Sequence, residues 1–242
     1  AFDEAAGALA VGAGDGSGGF ADPVRTAVAV DGDALLTLDL DGDGGPADLF
    51  IGADSGGAAA LLRNDGAGNF TIEPRTFAGE PRAWVTGDFN GDGFNDVADV
   101  TGSGLLATVL NDGAGELALG PIGVASIDGT VLHAADMDGD GDDDLVGVNR
   151  SQRLVVVASL EGGSFTQATA ALPRSPNWAN VGSVTSPDAV EVVVGVSDLA
   201  ADLLTYRLDA GALELVDSTG TGLIPRNFEL ADLTGDGFDE LV

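Results

Sequence analysis

An all-β fold of many short antiparallel strands is what the sequence predicts, and three observations predict it. An acidic, glycine-rich stretch recurs along the 242-residue chain, starting at Asp39, Asp88, Asp136 and Asp232, at intervals of 49, 48 and 96 residues. The last interval is two periods, so a further copy belongs near residue 184, where 184–190 reads as a shortened loop that has lost its ligands. Each copy is flanked by short apolar segments rich in Val, Ala and Leu and punctuated by hairpin signals. Finally, 38 glycines and 44% hydrophobic residues suit a large core reached through many tight turns.

Each repeat reads as four strands. The strand before the loop is expected at 34–38, 83–86, 131–134, 179–184 and 227–231, and the strand after it at 49–53, 97–100, 145–148, 190–196 and 241–242. The third falls at 58–63, 105–110, 154–159 and 203–208, with its fifth copy at 8–12. A turn follows, of which Asn64-Asp65-Gly66 and Asn111-Asp112-Gly113 are the strongest examples, because Asn, Asp and Gly tolerate positive φ. The fourth strand runs through 70–74, 117–120, 165–170 and 213–217, with an N-terminal copy near 24–30. Four antiparallel strands per 48-residue repeat is the pattern of a β-propeller blade. The chain therefore reads as a single domain over 1–242, with about five blades. Read head to tail, Asp232 to Asp39 also spans 49 residues, which predicts a five-bladed ring whose termini share one blade. A fragment of a seven-bladed propeller is the alternative.

The recurring stretch carries the chemistry. Asp136-Met137-Asp138-Gly139-Asp140-Gly141-Asp142-Asp143-Asp144 and Asp88-Phe89-Asn90-Gly91-Asp92-Gly93-Phe94-Asn95-Asp96 place oxygen-bearing side chains at loop positions 1, 3, 5 and 9. Such alternation folds hard oxygens around one centre, and oxygens without nitrogen or sulfur favour Ca²⁺. Several carboxylates within nine residues also repel one another unless a cation sits among them. The loop is not an EF-hand: position 12 is Asp99 or Gly147 rather than Glu, and the flanks are strands. Two loops depart from the pattern. The first has Asp39, Asp41 and Asp43, but its last acid, Asp48, comes one residue late; the last has Asp232, Thr234, Asp236, Phe238 and Glu240, a weaker set.

Net charge is −31, with 40 acids against nine basic residues, all of them Arg. Such a surface repels nucleic acid and anionic membranes. There is no cysteine, no apolar run long enough to cross a membrane, and no visible signal peptide; residue 1 is not Met, as in a processed product, an excised domain or a fragment. Catalytic signals are sparse. His133 is the only histidine, Gly-x-Ser-x-Gly is absent, and the clustered acids all belong to the loops. Trp84, Trp178 and Tyr206 read as blade-to-blade packing or, alternatively, as a stacking platform for a sugar or peptide.

Asp-Phe-Asn-Gly-Asp-Gly-Phe-x-Asp-Val, with a downstream Asn-Asp-Gly-x-Gly turn, resembles the FG-GAP/VCBS repeat family, which is related to integrin α-subunit propellers. The resemblance implies Ca²⁺ held by side chains at positions 1, 3, 5 and 9 and by the carbonyl at 7. That carries over to Asp88, Asn90, Asp92, Phe94 (carbonyl) and Asp96, and to Asp136, Asp138, Asp140, Asp142 (carbonyl) and Asp144. It implies a non-enzymatic, extracellular or cell-surface module with structural calcium, recognising a protein or glycan in adhesion. A secreted lectin is the alternative reading, a hydrolase or lyase domain a more distant one.

Overall fold

The computed structural model describes residues 2–3, 7–30, 32, 34–42, 44, 47–53, 56–77, 80–129, 131–196, 202–220 and 228–242. Every regular element among them is a β-strand. Four complete blades are each a four-stranded antiparallel meander. Blade 1 is β4 (Ala34–Leu38), β5 (Asp48–Gly52), β6 (Ala58–Asn64) and β7 (Phe70–Thr76). Blade 2 is β8 (Pro81–Gly87), β9 (Asp96–Thr101), β10 (Leu105–Asn111) and β11 (Leu117–Val124). Blade 3 is β12 (Leu132–Ala135), β13 (Asp144–Asn149), β14 (Leu154–Glu161) and β15 (Ser164–Ala171). Blade 4 is β16 (Pro176–Gly182), β17 (Glu191–Val196), β18 (Asp202–Asp209) and β19 (Ala212–Gly220). A three-stranded N-terminal sheet, β1 (Phe2–Asp3), β2 (Ala8–Val11) and β3 (Val24–Ala27), precedes them, and the pair β20 (Leu230–Ala231) and β21 (Glu240–Leu241) follows.

Successive blades stack with their first strands side by side, β4 against β8, β8 against β12, β12 against β16 and β16 against β20. Second strands are therefore covered on both faces. β9, β13 and β17 are buried at every residue, which is why Leu145–Val148 and Val192–Val196 read as continuous apolar runs rather than alternating ones. Fourth strands mix half-buried and exposed residues in blades 1 to 3, and β19 is exposed at all but Leu213. One apolar cluster fills each seam. Phe50, Leu61, Phe77, Trp84, Val97 and Val109 join blades 1 and 2. Phe89, Val100, Leu106, Ile127, Leu145 and Val156 join blades 2 and 3. Val146, Val157, Val192, Val194 and Tyr206 join blades 3 and 4.

The turns between third and fourth strands take two forms. In the longer one the Asp after the strand accepts two backbone N–H groups, as Asp65 does from Ala67 (2.8 Å) and Asn69 (3.1 Å). Asp15 and Asp112 repeat it. Blades 3 and 4 use two-residue turns instead: Gly162 and Gly163 at φ 56° and 81°, and Ala210 and Gly211 at 48° and 79°. These positive angles match the right-handed twist of the paired strands.

The expectation that the termini share a blade is corrected. Phe2 and Asp3 pair with Leu9 and Ala8, taking the edge of β2 that β21 would need, while β20 and β21 form a separate sheet. Among the described residues no strand pairing closes a ring.

Candidate metal centre

Each loop joins one strand to the next in its sheet, and closely similar hydrogen bonds shape it each time. The position 1 carboxylate turns back onto the amides of positions 4 and 6: Asp39 onto Gly42 (2.9 Å) and Gly44 (3.1 Å), Asp136 onto Gly139 (2.7 Å) and Gly141 (3.1 Å), Asp232 onto Gly235 (2.5 Å) and Gly237 (2.9 Å). Asp88 accepts from Asp92 (3.1 Å) and Gly93 (2.8 Å). Position 3 then accepts from the amide of 5, Asn90 from Asp92 (3.0 Å) and Asp138 from Asp140 (3.2 Å). Position 5 accepts from 7, Asp92 from Phe94 and Asp140 from Asp142, each at 3.0 Å. The conserved geometry needs left-handed backbone at positions 4 and 6, supplied by glycine: Gly91 and Gly93 at φ 69° and 90°, Gly139 and Gly141 at 81° and 100°. Oxygens of Asp136, Asp138 and Asp140 lie within 4.8 Å of one another.

The closing acid differs from the rest. Asp48, Asp96 and Asp144 are already the first residues of the second strands and are buried, at 5%, 0% and 4% exposure. Each accepts the amide of loop position 2: Leu40 (3.1 Å), Phe89 (3.1 Å) and Met137 (3.0 Å). Asp48 and Asp96 also accept from the third strand, at Asn64 and Asn111 (both 2.7 Å). Burial pushes the Asp96 carboxyl up to about 7 and Asp144 up to about 6, with neighbouring loop acids adding to it. Such carboxyls, with hard oxygens and like-charged neighbours, fit a divalent cation; Ca²⁺ would be held by positions 1, 3, 5 and 9.

The predicted ligands fare differently by loop. Of the Asp136 set, Asp136, Asp138 and Asp140 are the members whose oxygens gather within 4.8 Å, with Asp144 buried at the head of the next strand; Asp88, Asn90 and Asp92 share one turn through the backbone amides they accept. In the first loop Asp39 accepts the Gly42 and Gly44 amides, Asp48 is buried and Asp41 is exposed; Asp43 lies outside the described residues. In the last loop the Thr234 hydroxyl donates to Glu240 (3.2 Å), whose other oxygen accepts from Leu233 (2.8 Å), so part of the ligand set is already satisfied. Asp236 accepts from Phe238 (3.1 Å), and burial together with nearby acids raises Asp142.

Two functional positions escaped the sequence reading. The 184–190 loop reads as stripped of ligands, yet Glu191 occupies the closing-acid position of blade 4, 0% exposed, and accepts from Val184 (3.0 Å) and Thr185 (2.7 Å). Its partner is Arg207, directly opposite on β18, whose guanidinium donates to the carboxylate; the Thr185 hydroxyl does likewise. The cross-strand equivalent of Arg207 in blade 3 is Ser159, opposite Asp144. Burial works to raise Glu191, but Thr185, Arg207 and Val184 outweigh it and hold the carboxyl below its usual range. Blade 4 thus carries its own cation. The periodic placing of acids at 48, 96, 144, 191 and 240 was the available signal.

The loops also clasp across seams. Asp143 donates its amide to the Asp88 carbonyl (2.6 Å) and accepts the Asp88 amide on its carboxylate (3.0 Å). Asp239 and Ser183 repeat this at 2.8 and 2.7 Å. Asn111 Nδ2 donates to Asp39 (2.9 Å) across the first seam. The remaining candidates are structural. His133 bonds the Ala179 carbonyl through Nε2 (2.9 Å), and burial lowers it. Trp84 packs between Phe50 and Phe77 at 9% exposure, and Tyr206 is buried at 5%, so neither is a stacking platform. Trp178 packs against two seam clusters with its Nε1 buried.

Residues 88–147, two successive loops and the strands between them, match the FG-GAP-like repeat. No curated protein matches the chain. Among solved structures, a protein from Lactobacillus plantarum superposes with a TM-score of 0.60 at 16% identity, covering 92% of this chain and 67% of that one. This likeness extends to the fold alone. A rhamnogalacturonan lyase from Bacillus licheniformis gives a TM-score of 0.48 at 15% identity over 93% of this chain, which spans 46% of the lyase.

Proposed function

We propose, with the FG-GAP-like repeat at 88–147 as premise, that this propeller domain is a calcium-dependent binding module of the cell exterior, without catalytic activity. Calcium is structural, tying the first two strands of a blade, and the blade faces present a surface to a protein or glycan partner in adhesion. The observation that supports this most directly is the convergence of Asp136, Asp138 and Asp140 in a loop whose fourth acid, Asp144, is buried at its base. At millimolar exterior Ca²⁺ such sites bind with Kd of about 10⁻⁴ to 10⁻³ M. Tenfold excess over Kd then stabilises the fold by about 1.4 kcal/mol per site. At the end of blade 2 opposite its loop, a cleft is lined by Glu80, Arg82, Thr101, Ser103 and Leu105 and is a place for a partner to dock.

Thermal melts in EGTA and in millimolar Ca²⁺, with calorimetric counting of sites, test the calcium reading. A saturable rise in melting temperature with about three sites is expected. No rise and no heat of binding would reduce the loops to solvated turns. Glycan-array and surface-protein pull-down screens of the Ca²⁺-loaded domain test the partner reading.

A further inference from the structure

The four complete blades pair first and second strands in one register, which makes them comparable position by position. Four residues before each loop and three after its closing acid, the facing pairs are Leu35 with Ile51, Trp84 with Asp99, Leu132 with Gly147 and Ala179 with Val194. Three of the pairs are apolar. Blade 2 alone puts an indole and a carboxyl there, on the face turned toward blade 1. Directly opposed side chains on one face of an antiparallel pair are neighbours, with Cβ atoms about 4.5–5.5 Å apart.

The pair is sealed in. Asp99 is 1% exposed and Trp84 9%, and the indole lies against Gly52 of blade 1, where an added Cβ would stand 2.5 Å from the ring. Neither carboxyl oxygen of Asp99 has a hydrogen-bond partner, nor has Trp84 Nε1. Among the described residues the other buried acids each accept at least one backbone amide, so Asp99 is the exception. Among the described residues no charged group acts on it, burial being the one cause that shifts it. β4, β8 and β10 bring no acid or base except the exposed Arg82; β5 and β6 carry Asp48 and Arg63 at their loop ends; Glu80 is exposed. Asp31, Asp33 and Asp54 lie outside the described residues.

We propose that Asp99 is a proton-binding site in the seam between blades 1 and 2, which holds the seam closed while neutral and loosens it on ionising. A neutral carboxyl among Trp84, Val97 and Ala107 loses little by burial, whereas an unpaired carboxylate there carries a large desolvation penalty. Burial alone pushes Asp99 up, to about 7, which brings the switch into the range of ordinary environments. The sign is fixed by linkage. The group binds its proton more tightly folded than unfolded, so its contribution is full below the unfolded value of about 3.9 and is lost as pH rises to the folded value.

Trp84 reports on the site. In the full chain with saturating Ca²⁺ and Trp178→Phe, excitation at the red edge of the indole band leaves Tyr206 dark, and Trp84 is the sole tryptophan. Its emission should change through a single protonation with a midpoint near neutrality, and Asp99→Asn should abolish the change. The melting temperature of Asp99→Asn relative to its parent should climb by several degrees between about pH 4 and pH 8, because the amide cannot ionise. Flat emission in the parent, or the same midpoint in the Asp99→Asn chain, overturns the proposal. Should that variant fail to fold, the infrared carbonyl band of a protonated acid in the parent decides: a band that persists to near-neutral pH and then vanishes supports the site, and its absence refutes it.

Discussion

Replacing Arg207 with leucine removes the countercharge from Glu191, a carboxylate with 0% exposure that no metal loop serves. Stripping one partner from a buried ion pair costs about 3–5 kcal/mol. Two features reduce that here: the Arg207 side chain is 34% exposed, and Glu191 keeps the Val184 and Thr185 amides and the Thr185 hydroxyl. A cost of about 2 kcal/mol is therefore expected for Arg207→Leu. Glu191→Gln together with Arg207→Leu should recover most of it, since a neutral acceptor still serves the two amides. Urea denaturation of the two single variants and the double gives the coupling directly. The cost should be the same in EGTA and in Ca²⁺, because the cation is supplied by the chain. It should shrink on acidification: the Glu191 carboxyl is held below its usual range, so its contribution is full above the unfolded value of about 4.3 and is lost as pH falls through the lower folded value. A cost under about 0.5 kcal/mol, or one that appears only in EGTA, would refute the idea that Arg207 stands in for a metal.

Three other outcomes follow from the geometry. Asp136→Ala should remove one Ca²⁺ site from the calorimetric count and lower the melting temperature in Ca²⁺ more than in EGTA. Asp143→Ala should lose the carboxylate that accepts the Asp88 amide and cost about 1 kcal/mol in denaturant melts, and Asp239→Ala should do the same at Ser183. Gly104→Ala should cost about 2 kcal/mol or more whatever the calcium level, since the residue has φ 79° and its Cβ would stand 2.3 Å from the Ala125 carbonyl oxygen.

Much of the blade plan was legible because it is periodic. Residues 34–38 were expected as a strand and form β4 without adjustment, and the 105–110 and 154–159 strands merely extend. The second strands begin one residue earlier than expected in blades 1 to 3 for a physical reason. Asp48, Asp96 and Asp144 read as polar loop residues, but their backbones already pair, as Gly87 does with Asp96. Glu191 was hidden by the same effect in reverse, absorbed into an apolar run although it fell on the period of the acids. Arg207 could not be assigned from spacing, since its meaning comes from the residue opposite it on another strand. The shared terminal blade failed because a repeat length fixes how many residues separate two strands, not which edge a strand pairs with. Aromatic scarcity likewise did not say that Trp84 faces inward.

The buried acid at the head of every complete blade's second strand has a consequence for how the domain comes apart. An array whose units touch only their neighbours can lose structure section by section. On the proposed calcium reading, blades 2 and 3 would hang their acids on an exchangeable external ion, whereas blade 4 is fastened by an arginine that cannot diffuse away. Falling calcium would therefore not soften the molecule evenly. It would leave blade 4 as a standing abutment while its neighbour relaxes, so that hydrogen exchange at low calcium should run fastest in β12 and β13 and slowest in β17 and β18.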